Sequence, residues 1–270
     1  MGEKYNTFFQ RLFVVILGIP ILGYIIFWNE IPFLITIIIF NILGLCELYN
    51  MSRKKEQQPS ILFGSIFSLY FVYLAISDMI SIKFDNVLII TSLILIFLIS
   101  RLFKKKHSIA LSSIAVTVFA SIYIGYFSSF LLKIKLLSNG NFFLIFLFVI
   151  VWVNDIAAYI IGTAIGKTKM APKISPKKTI EGSIAGILFS IVTIIFLKHW
   201  MNYDLNKLIF IGITVSVFGQ CGDLFESMLK RGAKIKDSGN LIPGHGGVLD
   251  RFDSLLFAAP VYYFCIIYIL

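Results

Sequence analysis

Charge is scarce in this chain. Only 14% of its 270 residues are Asp, Glu, Lys or Arg, against about 25% in an ordinary soluble domain. Apolar residues make up 58% and aromatics 16%, with 27 Phe, and the mean hydropathy is +0.90. A water-soluble globule is excluded by that composition. Cysteine is sparse as well. Cys46, Cys221 and Cys265 are odd in number and each lies inside an apolar run. No disulfide framework is expected, and the thiols read as small hydrophobes. Lys4 and Arg11 precede an apolar run, but no small-residue cleavage pattern follows, so the run reads as an uncleaved first span rather than a signal peptide. Soluble linkers, low-complexity tails and clear internal repeats are also lacking.

What is present is a series of apolar runs, each near the roughly twenty residues that cross about 30 Å of hydrocarbon. They predict helices over 11–28, 31–49, 61–80, 86–100, 108–132, 141–166, 180–198, 205–229 and 250–270. The expected fold class is therefore all-α, a polytopic integral membrane protein of about nine transmembrane helices. It reads as one domain over 1–270, with no specific motif in 1–140 and the polar segments in 141–270.

Basic residues set the orientation. If loops alternate and the N-terminus is inside, 19 of the 24 Lys and Arg fall on the inner side. Positive loops stay cytoplasmic during insertion, so an inner N-terminus and a cell-membrane location follow. The net charge of +10 is largely this bias. It is spread over inter-span loops, so no nucleic-acid partner is expected, and the cluster Arg101–Lys106 suits anionic headgroups.

Three polar segments interrupt the apolar pattern, all on the inner side. In VWVNDIAAYIIGTAIGK (151–167) helical spacing aligns Asp155, Tyr159, Gly162 and Gly166 on one face. That face is either a packing seam with one satisfied acid or the wall of a site, since a carboxylate inside a span is expensive. In KISPKKTIEG (173–182) Thr179 is placed to cap the next helix, after Lys177 and Lys178. The pair is either a positive-inside loop or an anion site beside a helix N-terminus. In GQCGDLFESMLKRGAKIKD (219–237), Asp223, Glu226, Ser227 and Lys230 form one stripe, and Asp250, Asp253 and Ser254 repeat the spacing at the start of the last span. Between the stripes lie Pro243, Gly244, His245, Gly246 and Gly247, where backbone can approach a ligand closely. A structural ion-pair network is one account of these charges. A divalent cation with a phosphorylated ligand explains more, because Mg²⁺ takes one or two carboxylates plus phosphates and water.

The spacing Ser227-x-x-Lys230-Arg231, Lys236-Asp237, Pro243-Gly244-His245-Gly246-Gly247 and Asp250-Arg251-Phe252-Asp253 spans 27 residues. It resembles the signature of phosphatidate cytidylyltransferases, also called CDP-diglyceride synthases. Trp152, Asp155, Tyr159, Gly166-Lys167, Ser175-Pro176-Lys177-Lys178-Thr179 and Glu181-Gly182 agree with it too. Ala185 departs from it, standing where relatives often carry Gly before Gly186. The resemblance covers roughly residues 141–270.

The resemblance implies condensation of CTP with phosphatidic acid to CDP-diacylglycerol and pyrophosphate, with Mg²⁺ required and the number of ions left open. It implies Asp223 and Asp250 as the metal-binding carboxylates, at a site open to the cytoplasm at the membrane boundary. With Lys230 and Arg251 they form the expected catalytic set. Arg231 and Lys236 join those two cations in holding phosphates, and Lys177 and Lys178 close over the nucleotide. Asp253 and Glu226 add or orient ligands, and Asp155 walls the site. Ser227 is either a ligand or a helix-internal hydrogen-bond donor, and His245 either a phosphate donor or a turn-stabilising residue. Glu47 has no assignment beyond a possible Lys partner. The expected assembly is a homodimer, the commonest closed symmetry. The rival readings are another CTP-using lipid enzyme, such as a polyprenol kinase or an ether-lipid cytidylyltransferase, and an ion-coupled transporter. A transporter would place polar residues near mid-membrane and show an inverted repeat, whereas these charges cluster on one side.

Overall fold

The computed structural model describes residues 16–77, 85–104, 107–200, 203–242 and 246–270. Within the described residues each apolar run contains a helix. They are α1 (Ile16–Phe27), α2 (Glu30–Arg53), α3 (Ile61–Ile76), α4 (Asn86–Leu102), a fifth crossing over His107–Lys135, then α7 (Gly140–Ile165), α8 (Ile180–Leu197), α9 (Leu205–Gly232) and α10 (Leu249–Ile269). Among the described residues six helices are long and apolar enough to cross a membrane, and α1, α3 and α4 are shorter apolar helices. The fifth crossing contains α5 (Ala110–Ala120) and α6 (Phe127–Lys135), joined by a π turn at Ser121–Tyr126. That turn lies against α3: a Cβ added to Gly125 would fall 2.7 Å from the Ser68 Cα.

Among the described residues the fold is helical except for one antiparallel hairpin, β1 (Lys169–Ala171) paired with β2 (Ser175–Thr179). The segment carrying Lys177 and Lys178 is thus a strand that runs straight into α8, where the Thr179 hydroxyl caps the helix by accepting from Gly182 N at 3.2 Å. Asp85 and Asp204 cap α4 and α9 in the same way.

Loop contacts gather described basic loops at one end of the helices. Arg101 donates to the Gln58 carbonyl at 2.9 Å, Arg231 to the Ile174 carbonyl at 3.2 Å, and Ser238 Oγ to Glu47 at 2.9 Å. Every partner in these contacts belongs to the basic side. At the opposite end Lys135, only 5% exposed, donates to the carbonyls of Ile26 and Trp28 and to Asn141 Oδ1. Its ammonium satisfies carbonyls at the end of α1, so Lys135→Met leaves them unpaired at a cost of about 1–3 kcal/mol. The expected result is a Tm lower by several degrees, at about 2–4 °C per kcal/mol, with unchanged turnover. An unshifted melting curve of the purified variant would show the lysine to be idle.

Two packing seams position the polar segments. Along α7 and α8 the backbones nearly touch: a Cβ at Gly182 would lie 2.5 Å from the Ala158 carbonyl oxygen, and one at Gly186 2.8 Å from that of Asn154. Along α9 and α10 a Cβ at Gly222 would lie 2.5 Å from the Asp253 carbonyl oxygen. Small residues permit such approach, and each seam carries its neighbouring acids, Asp155 and Asp223, toward the same interior. Large apolar side chains face outward, as on α8 at Ile184, Leu188, Val192 and Phe196. That is the surface hydrocarbon covers without penalty.

Candidate active site

The C-terminal halves of α7 and α9, the start of α10 and the loop before α10 line a cavity of about 310 Å³, with Asp155, Asp223, Lys230, Asp237, Asp250, Arg251 and Asp253 as its walls. Five carboxylates and two cations thus face one space. A second cavity of about 280 Å³ adjoins it, sharing Asp155 and Asp223 and adding Tyr159, Gly162, Lys177, Lys178 and Gln220 among its walls. The predicted face of α7 lines this cavity through Asp155, Tyr159 and Gly162. Gly166 instead packs on the Thr179 side chain.

The carboxylates are held differently. Asp250 Oδ1 accepts from Lys230 Nζ at 2.6 Å, while its Oδ2 accepts from Ser238 N at 2.9 Å and Gly247 N at 2.8 Å. Gly246 has φ +86°, a conformation natural to glycine. A Cβ there would stand 2.7 Å from Asp250 Oδ2. Lys230 also pairs with Glu226, which is fully buried one turn earlier on α9, and Glu226 Oε1 has no hydrogen-bond partner. Asp223 pairs with Lys178, which reaches across from β2. Asp253 is buried and accepts from the Ser254 amide at 2.8 Å.

The structure therefore brings together Asp155, Asp223, Lys230, Asp250, Arg251 and Asp253, with Lys177 and Lys178 next door. Three expected contacts lie elsewhere. The Ser227 hydroxyl donates within its own helix to Asp223 Oδ1 at 3.4 Å. Arg231 is committed to the carbonyls of Ile174 and Ile235, which ties the hairpin to the loop after α9. Lys236 is exposed and belongs to neither cavity wall. His245, with Pro243 and Gly244, lies outside the described residues.

Sequence reasoning missed three features. Asp237 is a cavity wall, although only its place beside Lys236 in the motif marked it. Gln220 accepts from Ser183 Oγ and donates to Asn154 Oδ1 at 2.8 Å, and Asn154 Nδ2 donates to Asp155 Oδ1 at 3.1 Å. This chain links α8, α9 and α7 and fixes Asp155. The amides beside the acids, Asn154 before Asp155 and Gln220 before Asp223, were its only trace. The third is Glu47, a lone acid in an apolar run. Among the described residues no Lys pairs with it, and it accepts from Ser238 Oγ, Val248 N and Leu249 N at 2.9, 2.8 and 2.9 Å.

Chemically, the arrangement gathers hard oxygen donors and cations from separate helices around adjoining spaces. That suits holding anions together rather than relaying a proton to a side-chain nucleophile. The fold is that of a polytopic helical membrane protein with charged side chains gathered between its helices. A sequence model of the cytidylyltransferase family matches residues 9–269. The chain belongs to the cytidylyltransferase family. It is 34% identical over 260 residues to the phosphatidate cytidylyltransferase of Bacillus subtilis (strain 168), covering 94% of this chain and 96% of that one. Over 126 residues it is 46% identical to the phosphatidate cytidylyltransferase of Staphylococcus haemolyticus (strain JCSC1435), covering 46% of this chain and 48% of that one. A phosphatidate cytidylyltransferase of Staphylococcus epidermidis is 48% identical over the same extent.

Proposed function

We propose that this chain is a phosphatidate cytidylyltransferase, which joins CTP to phosphatidic acid and releases pyrophosphate, with its site open to the cytoplasm. The observation that carries the reading is the convergence of Asp223 from α9 and Asp250 from α10 on one cavity, with Lys177 and Lys178 lining the cavity beside it. The cytoplasmic placement rests on the positive-inside bias. It also matches substrate chemistry, since CTP comes from water and the lipid stays in the bilayer.

A phosphate oxygen of the lipid attacks the α-phosphorus of CTP. A new P–O bond forms as the bond to the β-phosphate breaks, and pyrophosphate departs with the electron pair. A phosphomonoester already carries about −1.5 to −2 charges near neutral pH, so no general base is required. The task left to the side chains is to align two anions. Lys177 and Lys178 hold phosphate oxygens from the hairpin side, and Arg251 does so from α10. Lys230 has three protons and two carboxylate partners, which leaves one for a phosphate oxygen. Gln220 and Asn154 keep Asp155 turned inward.

The donor set fits Mg²⁺. The cavity has carboxylate oxygens in excess of its cations, and Mg²⁺ binds through one or two carboxylates plus substrate phosphates. Among the described residues no three His, Cys, Asp or Glu side chains stand in a ready-made cage, so substrate phosphates and water would have to complete the shell. Asp223 and Asp250 are the residues proposed to hold it. When bound, the ion neutralises phosphate charge as the leaving group forms.

Purified protein in detergent, given CTP and phosphatidic acid, is expected to form CDP-diacylglycerol and pyrophosphate in equal amounts. EDTA should stop the reaction and Mg²⁺ restore it. CDP formed without pyrophosphate, with a polyprenol as the better acceptor, would point instead to a lipid kinase.

A further inference from the structure

Glu47 sits on α2, far from the other acids in sequence, in the half of the chain without motifs. It is only 4% exposed, yet all its observed hydrogen-bond donors are uncharged. Ser238 Oγ and Leu249 N donate to Oε2, and Val248 N donates to Oε1. Val248 and Leu249 open α10, which has no side-chain cap of its own. A helix N-terminus leaves free N–H groups and a partial positive charge, and the Glu47 carboxylate answers both. The loop from Ser238 to Leu249 therefore begins and ends on Glu47. Both ends also meet Asp250, whose Oδ2 accepts from Ser238 N and Gly247 N. Fit is tight on the Glu47 side: a Cβ at Gly239 would lie 2.7 Å from Oε1, and one at Gly247 2.5 Å from Oε2.

We propose that Glu47 is a positioning residue, a remote cap for α10 that closes the 238–249 loop and thereby sets the placement of Asp250. The inference rests on the cytidylyltransferase reading for its kinetic arm, while its exchange arm does not depend on substrate. With Glu47→Gln an amide NH₂ replaces one accepting oxygen, so either Val248 N or Leu249 N loses its partner. Ser238→Ala removes a single bond to Glu47 and leaves the carboxylate in place.

The experiment measures steady-state kinetics with CTP and phosphatidic acid together with amide hydrogen exchange, in detergent, for the parent, Glu47→Gln, Glu47→Asp and Ser238→Ala. Residues that orient metal ligands typically cost about 10–100-fold when removed. Glu47→Gln should lower kcat by about that factor and change KM for CTP by less than about threefold. Exchange should quicken at 238–250 and stay at parental values in α7 and α8. Glu47→Asp should recover part of kcat, and Ser238→Ala should lose only a few-fold. Parental kcat in Glu47→Gln overturns the proposal. So does faster exchange throughout α7–α10, which would make Glu47 a general support of the fold. Should Glu47→Gln fail to fold, Ser238→Ala decides: unchanged kcat and unchanged loop exchange sink the idea. A parent inactive toward phosphatidic acid refutes the functional reading alone, and exchange at 238–250 then judges Glu47 by itself.

Discussion

Asp250→Asn is expected to lower turnover by about 10³-fold, the scale of several kcal/mol of transition-state stabilisation. The native carboxylate uses both oxygens. One meets the Lys230 ammonium and the other meets two backbone amides. Asparagine offers one oxygen and one NH₂. If its oxygen keeps the amides, the NH₂ faces an ammonium. If it keeps Lys230, two backbone donors lose their acceptor. The proposed metal ligand is lost in both cases. Glu47 still holds the loop from its other side, so the protein should remain folded and membrane-inserted. The check is the initial rate of CDP-diacylglycerol formation beside a melting curve. Near-parental turnover from a folded variant would remove Asp250 from the reaction. Asp223→Asn should behave alike, with the Lys178 partnership lost as well.

Gly222→Ala is the second large effect, and it removes no polar side chain. The added methyl would stand 2.5 Å from the Asp253 carbonyl oxygen and 3.1 Å from Phe257 Cβ. Backbone cannot yield as a flexible side chain does, so α9 and α10 must separate. Asp223 follows Gly222, and the α10 acids lie directly across the seam. A misplacement of about 1 Å costs about 10²-fold in rate when reacting groups must be aligned, and that loss is expected here with protein yield largely kept. Gly219→Ala is the matched control, because its nearest neighbours across the same seam are 3.8 Å away. Equal rates for the two variants would mean that the seam does not govern alignment.

The apolar runs made the helices legible because length and hydropathy alone decide whether a segment can span. Thr179 was legible as a cap because the rule is local. The acids of α9 and α10 were legible because i, i+3, i+4 spacing fixes a face wherever the helix goes. The hairpin at 169–179 was not, since its strands are short and the basic residues read equally well as a loop. The partners of Arg231 were hidden for a related reason: they are the carbonyls of Ile174 and Ile235, and carbonyls leave no mark in a sequence. Glu47 was hidden twice over. Two of its donors are backbone amides, and they come from the far end of the chain.

Asp155 and Asp223 face both cavities. Placing a polyanion in either compartment alters the electrostatic cost of filling its neighbour. Under the proposed function, recognition would belong to the two compartments jointly, and a substitution at either shared acid is expected to retune the affinity for both reactants at once.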